Sequence, residues 1–146
     1  MCIRDRLSSI TIRNSTSTLF PVSNGIPQGS PVSPILFLFY NSELISKCTD
    51  SGFKASAIGF VDNVNILTWG ESTERNCHTL TQIHSNCTIW ARRHGASFAP
   101  AKYELIHLTR SPKRFNMAAI IQIQECEVTP RTVIRVLGVQ IDLKLR

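Results

Sequence analysis

A chain of 146 residues, 42% of them hydrophobic, can bury one modest core, so one domain or a piece of a larger one is expected rather than two. Sixteen Lys+Arg against ten Asp+Glu give a net charge of +6, a balance that favours polyanionic partners without requiring one. Five irregularly spaced cysteines with no preceding signal peptide argue against a secreted disulfide framework, and the longest apolar run, Ile35 to Tyr40, falls far below the ~18 residues of a bilayer span.

The first six residues, MCIRDR, back-translate to ATG TGT ATA AGA GAC AG and one further base, a string that looks like the transposase end sequence of sequencing libraries. Residues 1–6 are therefore set aside as an adapter artefact, leaving +5 and an open reading frame expected to be truncated. Ser8 to Gly25 carries two β-prone runs about a polar Asn-Ser-Thr-Ser centre, the pattern of a hairpin or of a strand with a loop. GIPQGSPVSP then places three prolines and two glycines in ten residues, so it is a loop. Ser33 before Pro34 has the form of a helix start, with the helix running to about Lys47.

Phe53 to Phe60 and Val64 to Trp69 read as two strands flanking Asp62-Asn63, a pair that suits a tight two-residue hairpin tip. Beyond Gly70, Ser72 or Thr73 opens a helix whose apolar positions Cys77, Leu80, Ile83, Cys87, Trp90 and Ala91 follow a 3.6 period. It should end at His94-Gly95, with Arg92, Arg93 and His94 complementing the helix dipole. Lys102 to Thr109 and Thr132 to Leu143 alternate as strands, with a basic loop and a weak strand near Ala119 to Ile123 between them. The expected class is α+β, an antiparallel sheet with helices packed on one face.

Taken together, GIPQGSPVSPILFLFYNSEL, FVDN, WARRHGASFAPAKYELIHL and VIRVLGVQID resemble motifs B, C and D and the following "LG" strand of the reverse transcriptase palm of non-LTR (LINE-like) retrotransposons. The resemblance runs from Leu7 to Arg146 and implies a C-terminal palm fragment, with motif A, fingers and thumb absent. It implies Mg²⁺-dependent nucleotidyl transfer in retrotransposition, with RNA template, DNA primer and dNTP as partners of the intact enzyme. No stable protein partner and no membrane is implied. No targeting signal is seen, and the intact family implies a nuclear or cytoplasmic location.

Asp62 is the implied metal ligand, since hard cations of this size take carboxylate oxygens. Asn63 stands where the family has a second aspartate, and it joins Asp62 and Lys102 in the implied catalytic set. Its amide brings no charge, and a unit charge ~4 Å from a divalent ion at an effective dielectric of ~20 is worth roughly 8 kcal/mol before relaxation. One G-to-A transition makes this asparagine from an aspartate codon, which fits a decayed element copy, although some RNA-virus polymerases carry Asp-Asn here. Asp50 lies between motifs B and C and cannot replace the motif A aspartate. Gln28, Gly29 and Phe60 match positions against the incoming nucleotide and template, and Lys102 matches the motif D lysine that serves the leaving pyrophosphate.

Each has a plainer reading: a proline-rich loop for Gln28 and Gly29, a strand-end lysine for Lys102. Cys77, His78, His84 and Cys87 lack the paired short spacing of zinc sites and fit packing better. Arg92, Arg93, Lys113 and Arg114 suit phosphate contacts or a solvated surface, and Trp69 and Trp90 read as core. The alternative function is a non-catalytic nucleic-acid-binding remnant of a decayed retroelement. A third reading is an aggregation-prone relic with exposed sheet edges.

Overall fold

A computed structural model describes residues 7–22, 25–26, 29–49, 52–123 and 125–144. It divides into two units, Met1–Phe39 and Tyr40–Arg146, with the boundary inside the first helix.

In the first unit the expected hairpin forms from four two-residue strands, β1 (Leu7–Ser8), β2 (Thr11–Ile12), β3 (Ser15–Thr16) and β4 (Phe20–Pro21). β1 pairs with β4 and β2 with β3, both antiparallel. Ile12 faces Ser15, so Arg13 and Asn14 form the loop, and Arg13 takes the positive φ of 54° that such a loop needs. Helix α1 (Ser33–Cys48) follows the proline-rich segment. Pro34 sits in its first turn, where a missing N–H costs nothing, and Leu36 N–H bonds Val32 O at 3.0 Å.

In the second unit the C-terminal part of α1 buries Asn41, Leu44 and Cys48, a stripe at helical spacing. Strands β5 (Ala55–Phe60) and β6 (Asn63–Thr68) make the longest ladder, six antiparallel pairs. Helix α2 (Thr73–His94) starts and stops where its sequence signals lie. The Ser72 hydroxyl accepts from Arg75 N–H at 3.2 Å, and Gly95 closes the helix at φ 66°, a left-handed conformation that a side chain disfavours.

Two core clusters flank α2. The first joins Leu44 and Cys48 of α1 to Ile83, Cys87, Trp90 and Ala91, and Ala55, Ala57, Val64 and Ile66 of the hairpin cover it. The second joins Cys77 to Leu105, Ala119, Ile121, Ile123 and Val128. Trp90 is 4% exposed as expected, but Trp69 is 51% exposed, so it is not core. It lies just past the end of β6, where alternation no longer aims a side chain inward.

Two other expectations are corrected. Residues 102–109 are not a strand, although Leu105 and His107 are buried in alternation. Their one ladder contact is a parallel bridge from Leu105 to Pro130, and a proline has no N–H to extend it. The segment is instead fixed by Arg131 N–H on Leu105 O at 2.7 Å, by His107 Nε2 donating to Ala119 O at 2.7 Å, and by an Arg131–Glu104 ion pair.

Residues 132–143 form a hairpin, β9 (Val133–Val136) and β10 (Val139–Asp142), rather than one strand. The loop is Leu137-Gly138, with φ of 51° and 88°, the two positive values of a type I′ turn. The weak strand is real as β7 (Ile121–Ile123), and it pairs with β8 (Cys126–Val128), which was not foreseen. The class is α+β, with antiparallel pairing spread over five two-stranded ladders among the described residues. No helix among the described residues is long and apolar enough to cross a membrane.

Candidate active site at the β5–β6 turn

The register of β5 and β6 pairs Gly59 with Val64 and Phe60 with Asn63. The two-residue loop is therefore Val61-Asp62, one position earlier than Asp62-Asn63, and Asn63 begins β6. Val61 carries the positive φ, 51°, while Asp62 does not. Positive φ at the first loop position alone is the mark of a type II′ turn, which favours glycine there. A β-branched residue in this region is strained by about 1–3 kcal/mol, so the surroundings must hold it.

The loop projects Asp62 into solvent. The Asn63 side-chain amide donates to Asp62 Oδ1 at 3.3 Å, and among the described residues no cationic side chain pairs with this carboxylate. One face of the hairpin, with Ala57, Val64 and Ile66, packs on the helices. The opposite face exposes Ile58, Phe60 and Leu67.

Behind the turn lies α1. Asn41, 8% exposed, donates its side-chain amide to Val61 O at 3.4 Å. Beside it, Gly59 leaves room for Ile45: a Cβ there would come within 2.8 Å of Ile45 Cδ1, so that side-chain end would have to shift, while Asn41 Nδ2 at 3.6 Å would be in ordinary contact. Asn41 and Val61 were missed from sequence. The available signal was a polar residue in the buried stripe of α1 and a valine in a loop position that prefers glycine.

The other residues singled out from sequence are dispersed or undescribed. Gln28 lies outside the described residues. Gly29 is exposed in the first unit at φ 84°, with open space where a Cβ would stand. Phe60 is 58% exposed on the outward face of β5, two residues before Asp62. Lys102 is exposed at the end of a short 3₁₀ turn, Pro100–Lys102, and borders a cavity of about 480 Å³ that reaches Val64 and Ile66 from the inner side of the hairpin. Asp62 does not line that cavity, whereas Ile134, Val136 and Ile141 of the β9–β10 hairpin do.

Titratable groups beside the cavity are tuned for burial. His84 Nε2 meets the Tyr103 hydroxyl at 2.8 Å. Desolvation lowers the His84 pKa and, with a smaller contribution from Cys87 and Cys126, raises that of Tyr103. Cys77 and Cys87 enter different core clusters and so do not converge on one ion.

A carboxylate exposed at a two-residue hairpin tip fits one inner ligand of a hard divalent cation, which accepts one or two carboxylates when phosphates supply other oxygens. Among the described residues there is no group of three or more His, Cys, Asp or Glu able to complete a site around it. The residues present thus fit a single anchoring ligand and not a self-sufficient two-ion centre.

A family model described as reverse transcriptase (RNA-dependent DNA polymerase) matches residues 2–141. The chain belongs to the reverse transcriptase family. Comparison with curated proteins and with solved structures returned no significant match. Intact reverse transcriptases are RNA-directed DNA polymerases that hold template and primer and generally use divalent metal ions.

Proposed function

We propose that this reverse transcriptase chain is the C-terminal part of a non-LTR retrotransposon palm, built for Mg²⁺-dependent nucleotidyl transfer and inactive, or nearly so, by itself. The observation that carries the reading is the exposed carboxylate of Asp62 in the two-residue loop of β5–β6. The family match supports it from outside the geometry. In this reading residues 1–6 are not part of the native protein, and the intact enzyme works in the nucleus or cytoplasm.

Asp62 would hold the cation, and bound Mg²⁺ supplies charge stabilisation to the attacking and leaving oxygens of phosphoryl transfer. Asn63 keeps its amide on Asp62 and adds no charge, so the cation would be held more weakly than by a carboxylate pair. Phe60 offers an exposed ring next to the turn for packing against nucleotide or template. Gln28 and Gly29 bind the same ligands in the proposal, and Lys102 meets the leaving pyrophosphate as a positive charge.

The exposed Arg92, Arg93, Lys113 and Arg114 favour a second reading, a non-catalytic nucleic-acid-binding remnant. Primer–template binding measured with and without Mg²⁺ separates the two. Binding that Mg²⁺ strengthens and Asp62→Ala weakens supports the polymerase reading. Binding that falls with salt, ignores Mg²⁺ and is unchanged by Asp62→Ala supports the remnant. A polymerase assay on an RNA template should show no processive synthesis by the 146-residue chain, and robust synthesis would overturn the proposed inactivity.

A further inference from the structure

We propose that Asn41 is the positioning residue of the Asp62 loop: its buried amide holds the Val61–Asp62 peptide in one of the two orientations open to it. The functional sense of this inference rests on the reading of Asp62 as the cation ligand.

The bond runs from Asn41 Nδ2 to Val61 O, 3.4 Å away. A carbonyl can only accept, so the amide nitrogen faces the turn. The Val61 carbonyl belongs to the peptide unit whose nitrogen is that of Asp62. Rotating this central peptide interconverts the two primed turn types: type II′ has positive φ at the first loop residue, and type I′ has it at both. Val61 at φ 51°, with Asp62 outside the positive region, has the φ pattern of the II′ form.

In the flipped form the carbonyl leaves Asn41 and the Cα–Cβ direction of Asp62 resets, which moves its carboxylate. Valine disfavours either form, so local preference alone does not hold the turn. Asn41 is placed to decide it. Apart from this residue the α1 stripe facing the hairpin is apolar, with Leu44 and Cys48 buried. Gly59 leaves the space that Ile45 fills beside Asn41, since a Cβ there would come within 2.8 Å of Ile45 Cδ1 and displace that side-chain end.

Nuclear magnetic resonance on the full chain tests the inference. In the wild type, Asn41 side-chain amide protons should show cross-relaxation to the Val61 and Asp62 backbone, with one set of signals for residues 60–63. Asn41→Leu keeps the volume and removes the donor. It should shift the Val61 carbonyl signal and bring up a second set of turn signals, as a loss of about tenfold in the preference for one form would do, while the signals of α2 stay in place.

An unshifted, single turn in Asn41→Leu overturns the inference. Should that variant not fold, absence of the wild-type cross-relaxation overturns it and presence supports it. Mn²⁺ line broadening at residue 62 reads the metal assignment separately. Its absence would remove Asp62 as a ligand and overturn the positioning role, leaving any turn clamp as a feature of the fold alone.

Discussion

Phe60 stands opposite Asn63 in the β5–β6 ladder, and this pairing leaves Val61 and Asp62 alone in the loop. The left-handed φ of 51° therefore falls on a valine, and the acidic residue keeps an ordinary backbone. Strain and charge are carried by neighbouring residues.

Replacing Val61 should relieve that strain. Glycine populates positive φ freely but loses up to about 1 kcal/mol more chain entropy on folding, against about 1–3 kcal/mol of strain removed. Val61→Gly is expected to stabilise the chain by roughly 1 kcal/mol in urea unfolding. A loss of stability would mean that Val61 makes packing contacts that outweigh its backbone.

The thiols of Cys48 and Cys87 approach to 3.3 Å across α1 and α2. The Cys87 thiol is pushed up by its hydrogen bond to Cys48 and by burial, while Cys48 is lowered by the same bond. Reactivity needs access as well as a thiolate, and Cys48 is wholly buried. In the folded chain Cys126, half-buried, should alkylate faster than Cys48, Cys77 or Cys87 by at least about a hundredfold, since the latter react only through opening. Mass spectrometry of peptides after timed alkylation checks this, and early modification of Cys48 would contradict the packing of α1 on α2.

His84 gives a pH dependence of defined sign. Burial lowers its pKa below the ordinary 6.5, so the folded state favours the neutral ring beside Tyr103 and Phe98. The unfolded chain binds the proton more readily, and stability then rises with pH through the window. The contribution is complete above 6.5 and lost as pH falls from there through the folded value. Urea unfolding between pH 5 and 8, roughly the range over which histidine titrates, should show the slope in the wild type and a reduced one in His84→Gln. Equal slopes would place the proton uptake elsewhere.

Much of the fold was legible where local signals and tertiary packing agree. Ser72 and Gly95 bound α2 as their chemistry demands, and the 3.6 stripe from Cys77 to Ala91 is its buried face, with Leu80 only partly covered. Alternation misled where it survives without a ladder. Residues 133–136 and 139–142 each alternate, but the phase shifts by one across the turn, since Val136 pairs with Val139 on one face; the break at Leu137-Gly138 is the signal that a reading as one strand passes over. Leu105 and His107 alternate in burial, yet Pro130 ends their pairing after one bridge.

At the candidate site, the tight turn holding Asp62 was legible from the FVDN pattern, but its loop register was not, since Asp-Asn satisfies turn chemistry better than Val-Asp. The role of Asn41 depends on a hydrogen bond spanning 20 residues, which no local pattern encodes.

The central claim is that Asp62 anchors a divalent cation, and Mn²⁺ titration followed by residue-resolved line broadening tests it most directly. Broadening should centre on residues 61–63, vanish in Asp62→Asn and strengthen in Asn63→Asp, where a second carboxylate joins the first. Broadening that persists in Asp62→Asn, or that centres away from the β5–β6 turn, would contradict the account.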